Sequence, residues 1–252
     1  MKKQLVLTVI VLFLIILDVI GQDLSGRITY NVSLNLTIEQ ITERNKAIGR
    51  KVSQSSIDMI NNARDILAYL EFNNIHSIQK TEIKLKTENI RKINKTRAGA
   101  GYDKVFYISN SLTQKNNILE CKVLGECFLI EQPKAKWKIT QISKLIGGYL
   151  CYKAIYETPL YQSKKPVAWF TPQIPARYGP KIFSGLPGLI LELEDNTVTF
   201  TAIKIELNPK EKIKIKKPKG IAITKEKYDA LLRKKFPEFY KKWEAYKKEK
   251  KS

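Results

Sequence analysis

Residues 168–195 read AWFTPQIPARYGPKIFSGLPGLILELED, the densest run of backbone-restricting residues in the chain. Pro172, Pro175, Gly179, Pro180, Gly185, Pro187 and Gly188 alternate there with Trp169, Phe170, Tyr178 and Phe183. Leu186-Pro187-Gly188-Leu189 matches a type II turn, in which proline presets φ at the second position and glycine takes the positive φ of the third. Beyond the turn, Leu189, Leu191 and Leu193 are expected on one face of a strand, and Ile190, Glu192 and Glu194 on the other. Asp195-Asn196 suits a two-residue hairpin turn. Residues 197–202 then return as the partner strand. Pro175 and Pro180 hold Ile174 and Gly179 out of the helical region. The stretch therefore predicts a stiff, aromatic-studded loop feeding a central hairpin.

Strand patterns continue outward from it. Ile28, Tyr30, Val32, Leu34 and Leu36 alternate with polar residues, as in a half-buried antiparallel strand. Ser56, Ile57, Ile60, Ala63, Ile66, Leu67 and Leu70 recur at helical spacing and predict an amphipathic helix of about four turns. Strand character resumes with Phe72, Ile75, Ile78, Ile83 and Leu85, and residues 87–103 read as an exposed loop. Short strands are expected over 105–109, 118–121, 126–131, 137–139, 146–154 and 167–170. Ile213, Ile215 and Ile221 suggest a last edge strand, protected by Lys212, Lys214 and Lys216. The fold class read from this pattern is β-rich α+β. It is a large curved antiparallel sheet, in the form of an open half-barrel, with a helix after the first strand and amphipathic C-terminal helices.

The ends of the chain carry their own signals. Lys2-Lys3 followed by an apolar run to Leu17 reads as a secretory signal peptide, cleaved between Gly21 and Gln22. The alternative is an uncleaved anchor, but the run is short for a span of about 20 residues. The domain plan is thus a signal peptide over 1–21, a β-rich domain over 22–222 and a basic amphipathic tail over 223–252. Thr224 suits an N-cap and Pro237 a helix start. Tyr228, Leu231, Leu232, Phe236, Phe239, Tyr240, Trp243 and Tyr246 form an aromatic stripe. That stripe either docks on the sheet or lies on an anionic membrane surface. The chain carries 45 Lys+Arg against 24 Asp+Glu, a net charge of +21, and +11 of it falls after residue 203. Such an excess is either a lysine-coated soluble surface or an attraction to anionic partners. Nucleic acid is not expected as a partner of an exported chain without a binding motif.

Residues 185–190, Gly185-Leu186-Pro187-Gly188-Leu189-Ile190, spell the motif that names the GLPGLI family, and the chain resembles that family. Ala168-Trp169-Phe170-Thr171, Ile174-Pro175, Gly179-Pro180, Phe183-Ser184-Gly185 and Trp137-Lys138-Ile139-Thr140 are similar to it as well. So is Gly148-Tyr149-Leu150-Cys151-Tyr152-Lys153-Ala154. The resemblance implies an exported envelope or secreted protein of Bacteroidetes type, periplasmic, outer-membrane associated or secreted, with no established activity and no catalytic residues to carry over. It also implies a non-catalytic or glycan-associated role.

Candidate chemistry is sparse. His76 is the single histidine, which excludes a multi-histidine zinc site. Glu192 and Glu194 share a strand face about 7 Å apart, a spacing open to acid–base work but also that of an ordinary wet face. Neither a catalytic set, a metal site nor a cofactor is indicated. Cys121 and Cys127 bracket a hairpin-like loop that would close a disulfide in an oxidising compartment. Cys151 is then left as a buried free thiol. Trp169, Phe170, Tyr178 and Phe183 are the candidate lip of an apolar pocket, the alternative being core packing. Two functional expectations follow. One is a non-enzymatic envelope protein whose concave sheet binds a lipid or glycolipid; the other is a surface module that recognises protein or glycan. A carboxylate-based hydrolase ranks last.

Overall fold

The computed structural model describes residues 24–46, 49, 51–82, 94–110, 115–158 and 165–249. The signal-peptide reading, the strand positions of Ile83 and Leu85 and the side chains of Trp243 and Tyr246 lie outside the described residues. Twelve strands form one mixed sheet. They are β1 (Gly26–Leu34), β2 (Ile66–Phe72), β3 (His76–Thr81), β4 (Val105–Ser109), β5 (Lys115–Glu120) and β6 (Phe128–Gln132), then β7 (Trp137–Ile146), β8 (Tyr149–Tyr156), β9 (Val167–Thr171), β10 (Leu189–Asp195), β11 (Val198–Leu207) and β12 (Ile221–Thr224).

The order β12-β6-β5-β4-β3-β2-β1-β11-β10-β9-β8-β7 shows how the sheet is built. Strand β1 sits in the middle. One antiparallel meander runs from it to β6, and a second runs from β7 at the far edge back to β11, which pairs with β1. Among the described strands only β12 is parallel, joining β6 at the edge. In a flat sheet β6 and β7 would lie ten strand spacings apart, about 48 Å. Yet Gln132 and Trp137 are five residues apart in sequence, a reach of about 19 Å. The sheet therefore curls until its limbs approach, without closing, and has a concave inner face.

That inner face is filled by the chain itself. Residues 172–188 cross it as a plug, burying Ile174, Ala176, Tyr178, Phe183 and Leu186 against Tyr30, Phe72, Phe200 and the inner side chains of β9 and β10. A short helix, α3 (Lys95–Ala100), adds Ala100 to the same core. Helices α1 (Ile38–Lys46) and α2 (Gln54–Asn61) follow β1. α4 (Lys225–Lys235) and α5 (Pro237–Glu249) end the described chain. Tyr228 on α4 packs on Phe128 and its hydroxyl donates to Glu120 at 2.8 Å, so α4 covers the inner face at the β6 edge. The boundary expected at 222/223 falls inside β12.

Several local expectations are corrected. The helix expected from Ser56 to Leu70 stops at Asn61, and Ile66–Phe72 is strand β2. Ile66, Ala68, Leu70 and Phe72 face the core at strand spacing, and pairing with β1 outweighs the helical periodicity of the same apolar residues. Gly188 does not adopt positive φ, so no type II turn forms there; Gly185 takes the left-handed conformation at φ 94. Gly188 is required for a different reason: a Cβ on it would lie 2.1 Å from the Thr171 carbonyl oxygen. The hairpin turn falls at Asn196-Thr197, one residue later than expected, with Asn196 at φ 45. A bulge against β9 sets Ile190 and Leu193 on the inner face and leaves Leu191 unpaired. Residues 210–216 form no strand. They belong to a strap, 208–220, that crosses the outer face from β11 to β12 with its own Ile213 buried.

Candidate functional site

The proline- and glycine-rich stretch builds a plug rather than a pocket mouth. Trp169, Phe170, Tyr178 and Phe183 are all buried, at 9%, 2%, 2% and 3% exposure. The pocket-lip expectation is thereby corrected. Proline and glycine keep residues 172–188 out of helix and strand, and their aromatic rings fill the space inside the curled sheet. Tyr178 packs at a tilt against Phe72, and Phe183 meets both Trp137 and Tyr156. Trp169 is the exception in direction. It lies on the outer face, paired with Glu192, and the Lys144 ammonium sits 4.3 Å from its ring centroid.

Polar bonds fasten the plug to both limbs. Trp137 donates its indole N–H to the Ser184 carbonyl at 2.9 Å, and Tyr30 donates its hydroxyl at 2.7 Å to the carbonyl of Ile190, in β10 just beyond the plug. On the other limb the Lys181 amide donates to Gln79 Oε1 at 2.6 Å, and Asn116 Nδ2 to the Ile182 carbonyl at 3.2 Å. Lys181, itself at positive φ, reaches across with its ammonium to the buried Asp195 carboxylate and donates to the Gly99 carbonyl at 3.2 Å. One lysine thus joins the plug, the β10–β11 hairpin and α3. Nothing in the one-dimensional pattern marks Lys181 or Asp195 as partners, because they stand fourteen positions apart, with the end of the plug and strand β10 between them.

Of the remaining candidates, Glu192 accepts from Lys144 at 2.6 Å on the outer face, and Glu194 stands on the same face. Glu192 is committed to that lysine rather than converging with Glu194 on a cleft. His76 Nδ1 lies 3.0 Å from the Tyr107 hydroxyl, and burial lowers its pKa. Cys121 and Cys127 are joined, with their Cα atoms 4.0 Å apart, and the loop they close carries Glu120 at its base. Cys151 is buried and free, its thiol pushed up to about 11 by burial, against the opposing pull of Lys144. Among the described residues no group of three metal-ligating side chains occurs, and no helix is long and apolar enough to cross a membrane.

Among the described residues three surfaces stand out as open. The first is the free edge strand β7, ten residues long, with Ile139, Ile142 and Leu145 exposed beside Leu150 of β8. The second is a groove of about 700 Å³ on the outer face, between β1–β3, β11 and the strap. The third is α5, where Phe239 is 65% exposed.

A profile of a domain family described as "Protein of unknown function (Porph_ging)" matches residues 160–192, the end of the β8–β9 connection, β9, the plug and the start of β10. A search among curated proteins finds no match. Two crystal structures of PNGF-II, in space groups C2 and P21, are similar in fold, each with TM-score 0.49 and 16% sequence identity. The match covers 83% of this chain and 32% of that one in the C2 form, and 82% and 33% in the P21 form. The chain thus spans about a third of the length of the protein it resembles.

Proposed function

We propose that this chain is an exported, non-enzymatic interaction module of GLPGLI type in the cell envelope, which recruits a protein partner along the β7 edge. The observation that carries the reading is the combination of a filled concave face with an open, apolar edge. The plug occupies the space that a lipid or glycolipid carrier would need, so the structure favours the surface module over the carrier. Among the described residues strand β7 pairs with β8 alone, which leaves its outer edge open, and Leu145 is 71% exposed beside it. Natural sheets usually shorten, charge or cover such an edge. An extended segment of a partner adding itself there would gain main-chain hydrogen bonds and bury the isoleucine–leucine row.

Site-specific photo-crosslinking in the native cells tests this. A crosslinker in place of Leu145 is expected to yield a discrete adduct that Ile142→Lys abolishes. The same crosslinker in place of Lys122, at the exposed tip of the cysteine loop, is expected to yield none. Adducts at both positions, or at neither, would overturn the reading. Export predicts a mature N-terminus at Gln22, read directly by mass spectrometry of the purified protein.

A second reading attaches to α5. Phe239 is exposed on this lysine-rich helix, whose main contact is α4, and Phe236 is exposed at the junction between the two. An anionic bilayer surface suits that pairing of apolar rings and cations. It predicts co-sedimentation with phosphatidylglycerol vesicles, but not with phosphatidylcholine vesicles, that Phe239→Ser weakens.

A further inference from the structure

The groove on the outer face has a composition that follows from strand register. Antiparallel pairing places Lys204, Thr29, Tyr69 and Lys80 side by side on β11, β1, β2 and β3. Side chains directly opposite in paired strands share a face. Tyr69 therefore stands on the groove floor, 44% exposed, with a lysine on its neighbouring strand and another two strands away on the opposite side. Three strand spacings separate the two lysine backbones, about 14 Å.

The next row holds the compensating charges. Glu206, Arg27 and Glu71 stand in register there, and Arg27 Nε donates to Glu71 at 3.1 Å. Arg27 also holds Glu211 of the strap at 3.2 Å, which anchors the groove's wall. Glu82, at the other end, accepts from the Leu67 amide at 3.2 Å. The wall itself reads Lys212-Ile213-Lys214-Ile215-Lys216. Ile213 is buried and Ile215 half-buried, while Lys214 and Lys216 are exposed at the rim. Among the described residues Lys80, Lys204, Lys214 and Lys216 form no ion pair.

We propose that this groove binds small organic anions built on a flat ring, with the ring on Tyr69 and the oxyanions on the surrounding lysines. An inorganic ion would leave Tyr69, Ile78 and Ile215 unused; a neutral lipid would leave four amines without counter-charge. At about 700 Å³ the groove has the volume of a small-molecule site. An amine beside an aromatic face also favours a delocalised anion that can stack and pair at once. The binding site is separate from β7 and from α5, so it stands or falls independently of the reading above.

The test uses the mature chain and pyranine, a fluorescent trisulfonated hydroxypyrene, at fixed ionic strength. Tyr69→Ala, which leaves the charge unchanged, is expected to weaken binding about tenfold, the equivalent of one stacked ring. Tyr69→Phe keeps the ring and is expected to bind as the parent does, which separates a lost platform from a lost fold. The double substitution Lys80→Glu, Lys204→Glu is expected to weaken binding tenfold or more. The charge-matched pair Lys234→Glu, Lys235→Glu on α4 is expected to leave it within twofold. Equal losses from the two charge pairs would show diffuse attraction to a basic protein and overturn the proposal. Unchanged binding in Tyr69→Ala would overturn it as well.

Discussion

Gly185 and Gly188 stand three residues apart in one motif and are needed for different reasons. Gly185 is at φ 94, where a side chain is strained in any surroundings. Gly188 has an ordinary φ but lies against backbone, 2.1 Å from the Thr171 oxygen if a Cβ is added, so the obstacle cannot rotate away. Gly188→Ala is therefore expected to cost about 3 kcal/mol, the upper range for overpacking, and Gly185→Ala about 1–2 kcal/mol. Chemical denaturation of the two variants measures the difference; equal costs would refute the distinction. Cys151 makes a second prediction at this scale. Its folded thiol titrates near 11 against an ordinary 9.0, so the folded state holds its proton more tightly. The unfolded thiol ionises first as pH rises, and its contribution to stability is present below 9.0 and lost through about 11. Parent and Cys151→Ala should differ in the pH dependence of stability across that window alone, and native-state alkylation at pH 8 should be slow.

Among the elements, local sequence decided some and pairing decided others. Thr224 caps α4 as its position suggests, accepting from the Lys227 amide at 3.3 Å, and Pro237 opens α5. The alternation of Ile28, Tyr30 and Val32 gives β1 directly, because its two faces meet different environments. Residues 66–72 show the opposite case. Their apolar positions fit a helix and a strand alike, and the neighbouring strands β1 and β3 select the strand. The aromatic stripe of the tail divides in a way that periodicity does not show. Tyr228 docks through Glu120 and Phe128, whereas Leu231, Phe236 and Phe239 stay exposed. The candidate site was legible in the same partial way. The four aromatics of residues 168–195 were found as a group, but whether they rim a pocket or fill a core depends on what curls around them.

At the scale of the whole molecule, one plug holds two limbs of a sheet whose edges do not pair. Lys181 bridges them through Gln79 on β3 and Asp195 at the end of β10. Lys181→Met leaves Asp195 buried without its counter-charge, which costs about 3–5 kcal/mol. Hydrogen exchange is expected to accelerate in β3 and β10 together; acceleration confined to the plug would show that the limbs stand without it. Sequence alone determined that this is a β-rich chain with a stiff aromatic segment before a hairpin, helices at its end and an excess of positive charge. Each of these is a property of neighbours in the chain: proline and glycine restrict φ locally, alternation records a two-faced strand, and charge simply adds. Only the tertiary structure decided that the aromatic segment is swallowed, that Gly188 answers to Thr171 rather than to a turn, and that Lys80, Tyr69, Thr29 and Lys204 form one row. Those depend on register and curvature, which bring together residues far apart in the chain, and no local periodicity encodes which strand will lie beside which.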